Sequence, residues 1–98
     1  MKKDFYYIDL YEIYKGLLTE KQSEMFYSHY LLDLSYAEIA ETEGTMRQSV
    51  YDAIKKVKAK LDEYENLLRL KEKFDGLNEI AKEVGGEVSN KITEIVGR

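Results

Sequence analysis

The hydrophobic positions of this 98-residue chain recur with the period of an α-helix along most of its length. The clearest stripe has the 4-3-4 spacing that places residues on one helical face. Its members are Val50, Ile54, Val57 and Leu61. Runs of β-branched residues are absent, the chain has no proline, and it has only 6 glycines. This pattern predicts an all-α fold of five or six helices.

Two helices are predicted before this stripe. The first runs from about Asp4 to Lys15. Its apolar face contains Tyr7, Leu10, Tyr11, Tyr14, Leu17 and Leu18. The second opens at Thr19, where Gln22 completes a capping box, and it runs to about Leu32.

Tyrosine is concentrated on these two helices, which carry or border 6 of the 9 tyrosines in the chain. They are Tyr6, Tyr7, Tyr11, Tyr14, Tyr27 and Tyr30. A tyrosine buries its ring and keeps a polar tip, which suits half-buried contacts. A stacking platform for nucleic acid is one interpretation, but helical spacing favours core or dimer contacts.

Residues 35–61 predict two helices joined by a tight turn. Ser35 and Glu38 form a second capping box, which opens a short helix from Tyr36 to about Glu43. Gly44 then ends this helix, because glycine adopts the left-handed conformation without a steric cost. A longer helix with polar residues at its start follows. This order is the layout of a DNA-binding helix-turn-helix.

The exposed side of the longer helix carries residue types that hydrogen-bond to bases and phosphates. The candidate nucleic-acid contacts are Arg47, Gln48, Tyr51, Lys55, Lys56 and Lys58. Asp52 lies among them, and Lys60 adds charge further along. Positive charge is concentrated here: residues 45–73 hold 8 Lys and Arg against 5 Asp and Glu, whereas the whole chain carries −4. A local basic patch of this kind is what a nucleic-acid-binding protein needs.

A less specific interpretation explains the same pattern. A capped helical hairpin inside an ordinary bundle has these features, and a lysine-rich segment is most often a solvated helix face. The acidic balance of the whole chain also argues against tight non-specific DNA binding by a monomer. A dimer that places two basic helices on one duplex removes that objection.

Several short motifs give the chain a resemblance to region four of bacterial sigma factors, from Leu18 to Leu61. The matching residues are Leu18, Thr19 and Gln22, then Ser35, Glu38, Ile39 and Ala40, then Gly44, Arg47 and Val50. More specifically, the chain resembles the YlxM-like family of small helix-turn-helix proteins over about residues 5–70. The phrases that carry this resemblance are LYEIYKGLLTEKQ, LSYAEIAE, RQSVYDAIKK and LDEYENLL.

The resemblance implies a helix-turn-helix core of three to four helices with an added helical C-terminal tail. It also implies a DNA-binding regulatory protein linked to the signal recognition particle pathway. The alternative is an adaptor that keeps the fold, does not bind DNA, and contacts protein or RNA of the signal recognition particle.

One departure from the family pattern falls at the start of the second helix. The family has a Ser or Thr cap where this chain has Met46, which follows Thr45. Either Thr45 caps the helix one residue early and Met46 is its first residue, or the helix starts uncapped. The choice affects how Arg47 and Gln48 are aimed.

The last part of the chain is predicted to be a helical extension. The stripe continues through Tyr64, Leu67 and Leu68, which predicts a long helix to about Phe74, with 75–76 ending or bending it. Two further amphipathic segments follow, separated by a Gly-Gly pair at 85–86. We therefore predict a helix-turn-helix domain over 1–74 and an extension over 75–98. The extension packs on the core or on a second subunit, and we favour a homodimer.

Other classes of function find little support. There is no cysteine, no Gly-rich phosphate loop and no serine in a nucleophile context, so we expect neither an enzyme nor a bound cofactor or metal. A lone histidine, His29, is interpreted as structural or as a surface residue. The apolar runs are too short to span a membrane and no signal peptide is apparent, so a cytoplasmic location is expected.

Overall fold

The computed structural model describes residues 4–97, which form six α-helices and one short 3-10 turn without a strand. The helices are α1 (Phe5–Tyr14), α2 (Glu20–Tyr30), α3 (Tyr36–Glu43), α4 (Arg47–Leu68), α5 (Leu70–Val84) and α6 (Gly86–Val96), with the 3-10 turn at Lys15–Leu17. The predicted all-α fold is confirmed. The chain divides into two compact units, an N-terminal unit up to Leu67 and a C-terminal unit from Leu68.

Two helices of the N-terminal unit begin at capping boxes, as the sequence predicted. The Gln22 amide donates to Thr19 Oγ1 at 3.2 Å, and the Thr19 amide donates to Gln22 Oε1 at 3.0 Å. Ser35 and Glu38 exchange the equivalent pair of hydrogen bonds, both at 3.1 Å. Each box satisfies two backbone amides that have no partner inside the helix.

The turn between α3 and α4 is built on Gly44, which has a φ of 66° in the left-handed region. The Thr45 amide donates to the Ala40 carbonyl at 3.0 Å, and the Gly44 amide donates to the Glu41 carbonyl at 3.4 Å. This pair of hydrogen bonds is a Schellman motif, which closes a helix and redirects the chain at once. The predicted helix, turn and helix are therefore present.

The apolar stripe of α4 forms the centre of the N-terminal unit. Val50, Ile54, Val57 and Leu61 are all buried. The two stripe residues nearest the turn belong to a cluster to which α2, α3 and α4 all contribute. Its buried members are Met25, Ile39, Ala40, Val50 and Ile54. This cluster fixes α4 against α3, and it thereby determines which side of α4 faces solvent.

Tyrosines connect α1 to the far half of α4. The Tyr14 ring is 1% exposed and its hydroxyl donates to Glu65 at 2.6 Å. The Tyr7 hydroxyl donates to Asp62 at 2.8 Å. Tyr11 is also buried and stacks on Phe26, with ring centroids 4.9 Å apart. These contacts confirm a core role for part of the tyrosine set, with rings packed inside and hydroxyls bonded to polar groups.

The predicted long helix to about Phe74 is wrong. Helix α4 ends at Leu68, and Arg69 adopts a left-handed conformation with a φ of 54°. Leu67 and Leu68 are exposed, so the last turn of α4 adds little to the core. A left-handed non-glycine residue costs about 1–2 kcal/mol, which a single position tolerates. Residues 75–76 lie inside α5, and the predicted boundary at 74 therefore falls within a helix.

The C-terminal unit is a hairpin of α5 and α6. Gly85 and Gly86 connect the two helices, and both have positive φ values, 60° and 63°. The prediction of a break at this pair is confirmed. Within the described part of this unit Ala81 is the one buried residue. Its large apolar residues include the exposed Leu77, Ile80, Val84, Val88 and Ile95. Packing of this hairpin on the core or on a second subunit stays a prediction.

Candidate nucleic-acid interface

The first helical residue of α4 is Arg47, which places Met46 at the cap position. The Met46 carbonyl accepts hydrogen bonds from the amides of Ser49 and Val50, at 3.0 and 3.2 Å. The early-cap alternative, with Met46 as the first helical residue, is therefore wrong. A thioether is a weak acceptor and cannot replace a capping oxygen. The second helix of the motif thus starts with an exposed apolar side chain where an oxygen is usual.

The first three turns of α4 present the predicted polar residues to solvent. Arg47, Gln48, Tyr51 and Lys55 are all exposed. Three of them border a recess of about 260 Å³ together with Tyr36. The Gln48 side-chain amide donates to the Asp52 carboxylate at 3.0 Å, so one of the candidate base-reading groups is already engaged within the helix.

Tyr36 was not among the predicted site residues, yet it supports this surface. Its ring stacks on the His29 ring at 4.3 Å between centroids and meets the Tyr51 ring edge-on at 5.4 Å. Burial is the largest cause of a raised pKa at Tyr36. No local signal in the sequence marked Tyr36 for this role, since Phe5 also directly follows a helix cap and is 68% exposed.

The single histidine has a structural role. His29 Nδ1–H donates to the Leu34 carbonyl at 2.8 Å, which ties the end of α2 to the loop before α3. The stacking on Tyr36 extends this tie to the first turn of α3. His29 was predicted to be either a structural residue or a surface residue, and the first of these is confirmed. Its contacts help to orient the helix-turn-helix.

Lys58 differs from the other predicted contacts because it is half-buried. Its ammonium lies 4.6 Å from the centroid of the Tyr7 ring and 5.9 Å from that of Tyr30, within cation–π range. Burial is the largest single influence and lowers the pKa of Lys58, but the hydrogen bond to Tyr30 and the electrostatic effects of Tyr30, Asp4 and Tyr36 together outweigh it, so the pKa is raised. The ammonium is therefore charged and already has partners in the fold.

The six predicted residues do not form one patch. Lys55 and Lys58 border a cleft of about 350 Å³ next to the recess of Arg47 and Gln48. The aromatic rings of that cleft are those of Tyr7, Tyr36 and Tyr51. Lys56 lies on another side of α4, where it borders a separate hollow with Gln22, Ser49, Asp52 and Ala53. Asp52 is exposed between the two groups, so the face is mixed in charge.

Residues 4–97 contain no group of three or more His, Asp or Glu side chains placed to hold a metal ion. None of the helices over this range is both long enough and apolar enough to cross a membrane.

A capped short helix, a Schellman turn and a second helix with a polar, exposed start define a helix-turn-helix protein. The family comparison agrees. The chain belongs to the UPF0122 family, whose model is described as "Putative helix-turn-helix protein, YlxM / p13 like" and matches residues 1–96. The resemblance to YlxM-like proteins is thereby confirmed.

Individual relatives carry the same family name. A UPF0122 protein of Halalkalibacterium halodurans is 43% identical over 84 residues, which cover 86% of this chain and 77% of the relative. One from Shouchella clausii is 50% identical over 66 residues, covering 67% and 61%. One from Ureaplasma urealyticum is 44% identical over 78 residues, covering 80% and 79%. Part of each relative thus lies outside the matched segment.

Proposed function

We propose that this protein is a non-enzymatic regulator that binds double-stranded DNA through its helix-turn-helix, with a link to the signal recognition particle pathway. The observation that carries the proposal is the exposure of Arg47, Gln48, Tyr51 and Lys55 on the first turns of α4. In a helix-turn-helix the second helix enters the major groove with its N-terminal residues against the base edges. Arg47 and Gln48 have that position, and Tyr51 and Lys55 follow them on the exposed side of α4.

Each residue takes a role that suits its chemistry. Arg47 and Gln48 stand nearest the start of α4 and contact base edges, as guanidinium and carboxamide groups do with guanine and adenine. Tyr51 and Lys55 follow one turn and two turns later and contact phosphates or sugars. Lys56, on another side of α4, adds a further phosphate contact. Lys58 is assigned mainly to the fold, since its ammonium lies over Tyr7.

The protein acts as a homodimer in this proposal. A chain with a net charge of −4 binds DNA weakly through one short basic segment, and two recognition helices double the attractive charge on the duplex. The exposed apolar residues of α5 and α6 support an intersubunit role for the C-terminal unit. Dimeric helix-turn-helix proteins place their helices about one DNA turn apart.

The test is charge reversal on α4. The double variant Lys55→Glu/Lys56→Glu is compared with the wild type for binding to labelled genomic fragments over a salt series. Affinity falls by about tenfold or more, and the slope of log affinity against log salt becomes shallower by about 2, roughly one unit for each lost phosphate contact.

The matched control is Lys82→Glu/Lys91→Glu, which makes the same change in net charge on the C-terminal unit. Both lysines are exposed and pair with glutamates on their own helices, at 3.7 and 3.4 Å. This control keeps the wild-type salt slope. Equal losses in both variants would mean that overall charge, and not the α4 surface, governs binding.

A second candidate function is an adaptor that contacts signal recognition particle protein or RNA instead of DNA. The exposed carboxylate of Asp52 favours the protein partner of this candidate, because the carboxylate repels the phosphates of DNA and RNA alike and holds the Gln48 amide. The variant Asp52→Asn separates the two candidates. If the protein is a DNA-binding regulator, this variant increases affinity for duplex DNA. If the protein is an adaptor, the variant weakens the contact with a basic protein surface.

A further inference from the structure

Met46 is the residue of the helix-turn-helix that packing leaves unexplained. It is 72% exposed, the largest exposed fraction among the large hydrophobic residues of α3, α4 and their turn except for Leu67. It stands at the cap of α4, directly before Arg47 and Gln48. The side chain therefore projects from the leading end of the helix whose next residues are proposed to contact bases.

The position is unfavourable for the fold. Thr19 and Ser35 each accept an amide hydrogen bond at the start of α2 and α3, and methionine offers α4 no such oxygen. Exposure also means that the side chain adds little to the core. A residue that neither caps nor packs is a candidate for contact with something outside the chain.

We propose that the Met46 side chain contacts the 5-methyl group of a thymine in the major groove and so determines sequence specificity. This inference rests on the proposed DNA-binding function. The thymine methyl is the one apolar feature that base pairs present in that groove, and apolar side chains recognise it. A thioether is unbranched and polarizable, so it adapts to this small surface. Arg47 and Gln48 read the neighbouring hydrogen-bonding edges.

The experiment begins with a duplex selected by the wild-type protein from a random library. Each thymine of that duplex is then replaced in turn by deoxyuridine, which pairs identically but lacks the methyl group. At one position this replacement lowers the affinity of the wild type by about fourfold, which corresponds to the free energy of burying one methyl group. Met46→Ala binds the thymine duplex about fourfold more weakly than the wild type and no longer distinguishes thymine from deoxyuridine there.

Two further variants separate contact from folding. Met46→Ser supplies the missing cap, so its Tm rises by about 4–8 °C while discrimination at the thymine is lost. Met46→Leu keeps an apolar side chain and retains the methyl effect. A residue with only a structural role would not give this combination in Met46→Ser, which gains stability and loses specificity for thymine.

The outcomes distinguish this inference from the function on which it rests. If the wild type selects no duplex at all, both are overturned. If it selects a duplex but deoxyuridine has no effect at any position, or has the same effect in Met46→Ala, the methyl contact alone is overturned. Loss of the methyl effect in Met46→Ala and its retention in Met46→Leu support it.

Discussion

The N-terminal and C-terminal units have the same kind of sequence pattern and very different interiors. Both contain amphipathic helices with apolar residues at helical spacing. Among the described residues, the N-terminal unit buries eleven apolar side chains below a tenth exposure, and the C-terminal unit buries Ala81. An amphipathic stripe therefore does not by itself indicate a core.

The number and arrangement of helices explain this difference. In the N-terminal unit α2, α3 and α4 all contribute to one cluster, so each apolar side chain has neighbours on several sides. The C-terminal unit has two helices, which meet along a single line and leave their outer apolar residues in water. The first unit holds the candidate DNA surface on a packed core, and the second leaves apolar side chains exposed.

The largest expected effect is a cavity in the N-terminal core. Ile54→Ala removes three buried methyl and methylene groups and lowers the free energy of unfolding by about 2–5 kcal/mol. Its matched partner is Ile80→Ala in α5, where the side chain is 49% exposed and the loss is about 0.5 kcal/mol. Urea denaturation at low protein concentration measures both.

The same pair of variants tests the proposed dimer. At hundredfold higher protein concentration the cost of Ile80→Ala increases if a second copy covers this face, whereas the cost of Ile54→Ala does not. Equal losses of unfolding free energy in the two variants at low protein concentration would contradict the difference in burial between the two units.

Glycine substitutions are expected to have opposite signs in the two units. Gly44→Ala destabilises by about 1–2 kcal/mol, since alanine must adopt a φ near 66° although its methyl group meets no neighbour. Gly76→Ala lies inside α5 with open space around it, and it stabilises by about 0.5–1 kcal/mol. Thermal unfolding by circular dichroism measures both changes. A stabilised Gly44→Ala would show that the turn does not need the left-handed conformation.

We expect the loss of a helix cap in the N-terminal unit to lower the free energy of unfolding more than the loss of a side-chain hydroxyl in the C-terminal unit. Ser35→Ala removes one half of a capping box and costs about 1 kcal/mol of unfolding free energy. Thr93→Ala removes a hydroxyl that bonds back to the Ser89 carbonyl within α6, and it changes stability by less than about 0.5 kcal/mol. Chemical denaturation of the two variants side by side gives the comparison, and a larger cost for Thr93→Ala would reverse it.

Alkaline pH is expected to remove a contribution of tyrosine to stability from the N-terminal unit, because all the tyrosines of the chain precede residue 65. Burial and the hydrogen bond to Asp62 raise the pKa of Tyr7 to about 12, from an ordinary value of 10.0. Between pH 10 and pH 12 the Tyr7 hydroxyl loses its proton in the unfolded chain before it does so in the folded chain. The stabilisation is therefore complete below pH 10 and disappears as pH rises toward 12.

The variant Tyr7→Phe isolates this contribution. It costs about 0.5–1 kcal/mol near pH 7, where the Tyr7 hydroxyl donates to Asp62 at 2.8 Å. The difference between wild type and variant stays constant to about pH 10 and then shrinks. A difference that grows above pH 10 would mean that the folded protein favours the tyrosinate.

Much of the fold could be predicted from local signals. The boxes at Thr19 and Ser35, the left-handed Gly44 and the Gly-Gly break at 85–86 all follow from residue types whose local hydrogen bonding or backbone freedom is strong. The end of α4 could not be predicted in this way. Arg69 carries no local signal for a left-handed conformation, and the stripe through Leu67 and Leu68 indicated a helix that the fold does not continue.

The candidate site was predicted in part. Arg47, Gln48, Tyr51 and Lys55 lie together on the exposed start of α4, as expected from their spacing opposite the stripe. Lys58 has the same residue type and a similar spacing, yet its ammonium lies over Tyr7 from α1. Tyr36 contributes to the surface through His29 and Tyr51, which a linear pattern does not bring together.

The sequence by itself determined the helical class, the caps, the tight turn and the membership of this chain in a helix-turn-helix family, because these depend on near neighbours and on periodicity. The tertiary structure decided which stripes became a core, where α4 ended, and which of the cationic side chains of α4 remained available. Those outcomes depend on neighbours distant in sequence. The partial burial of Lys58 beside α1, and the exposure of Met46 at the start of α4, are properties of the packed helices and not of their residues.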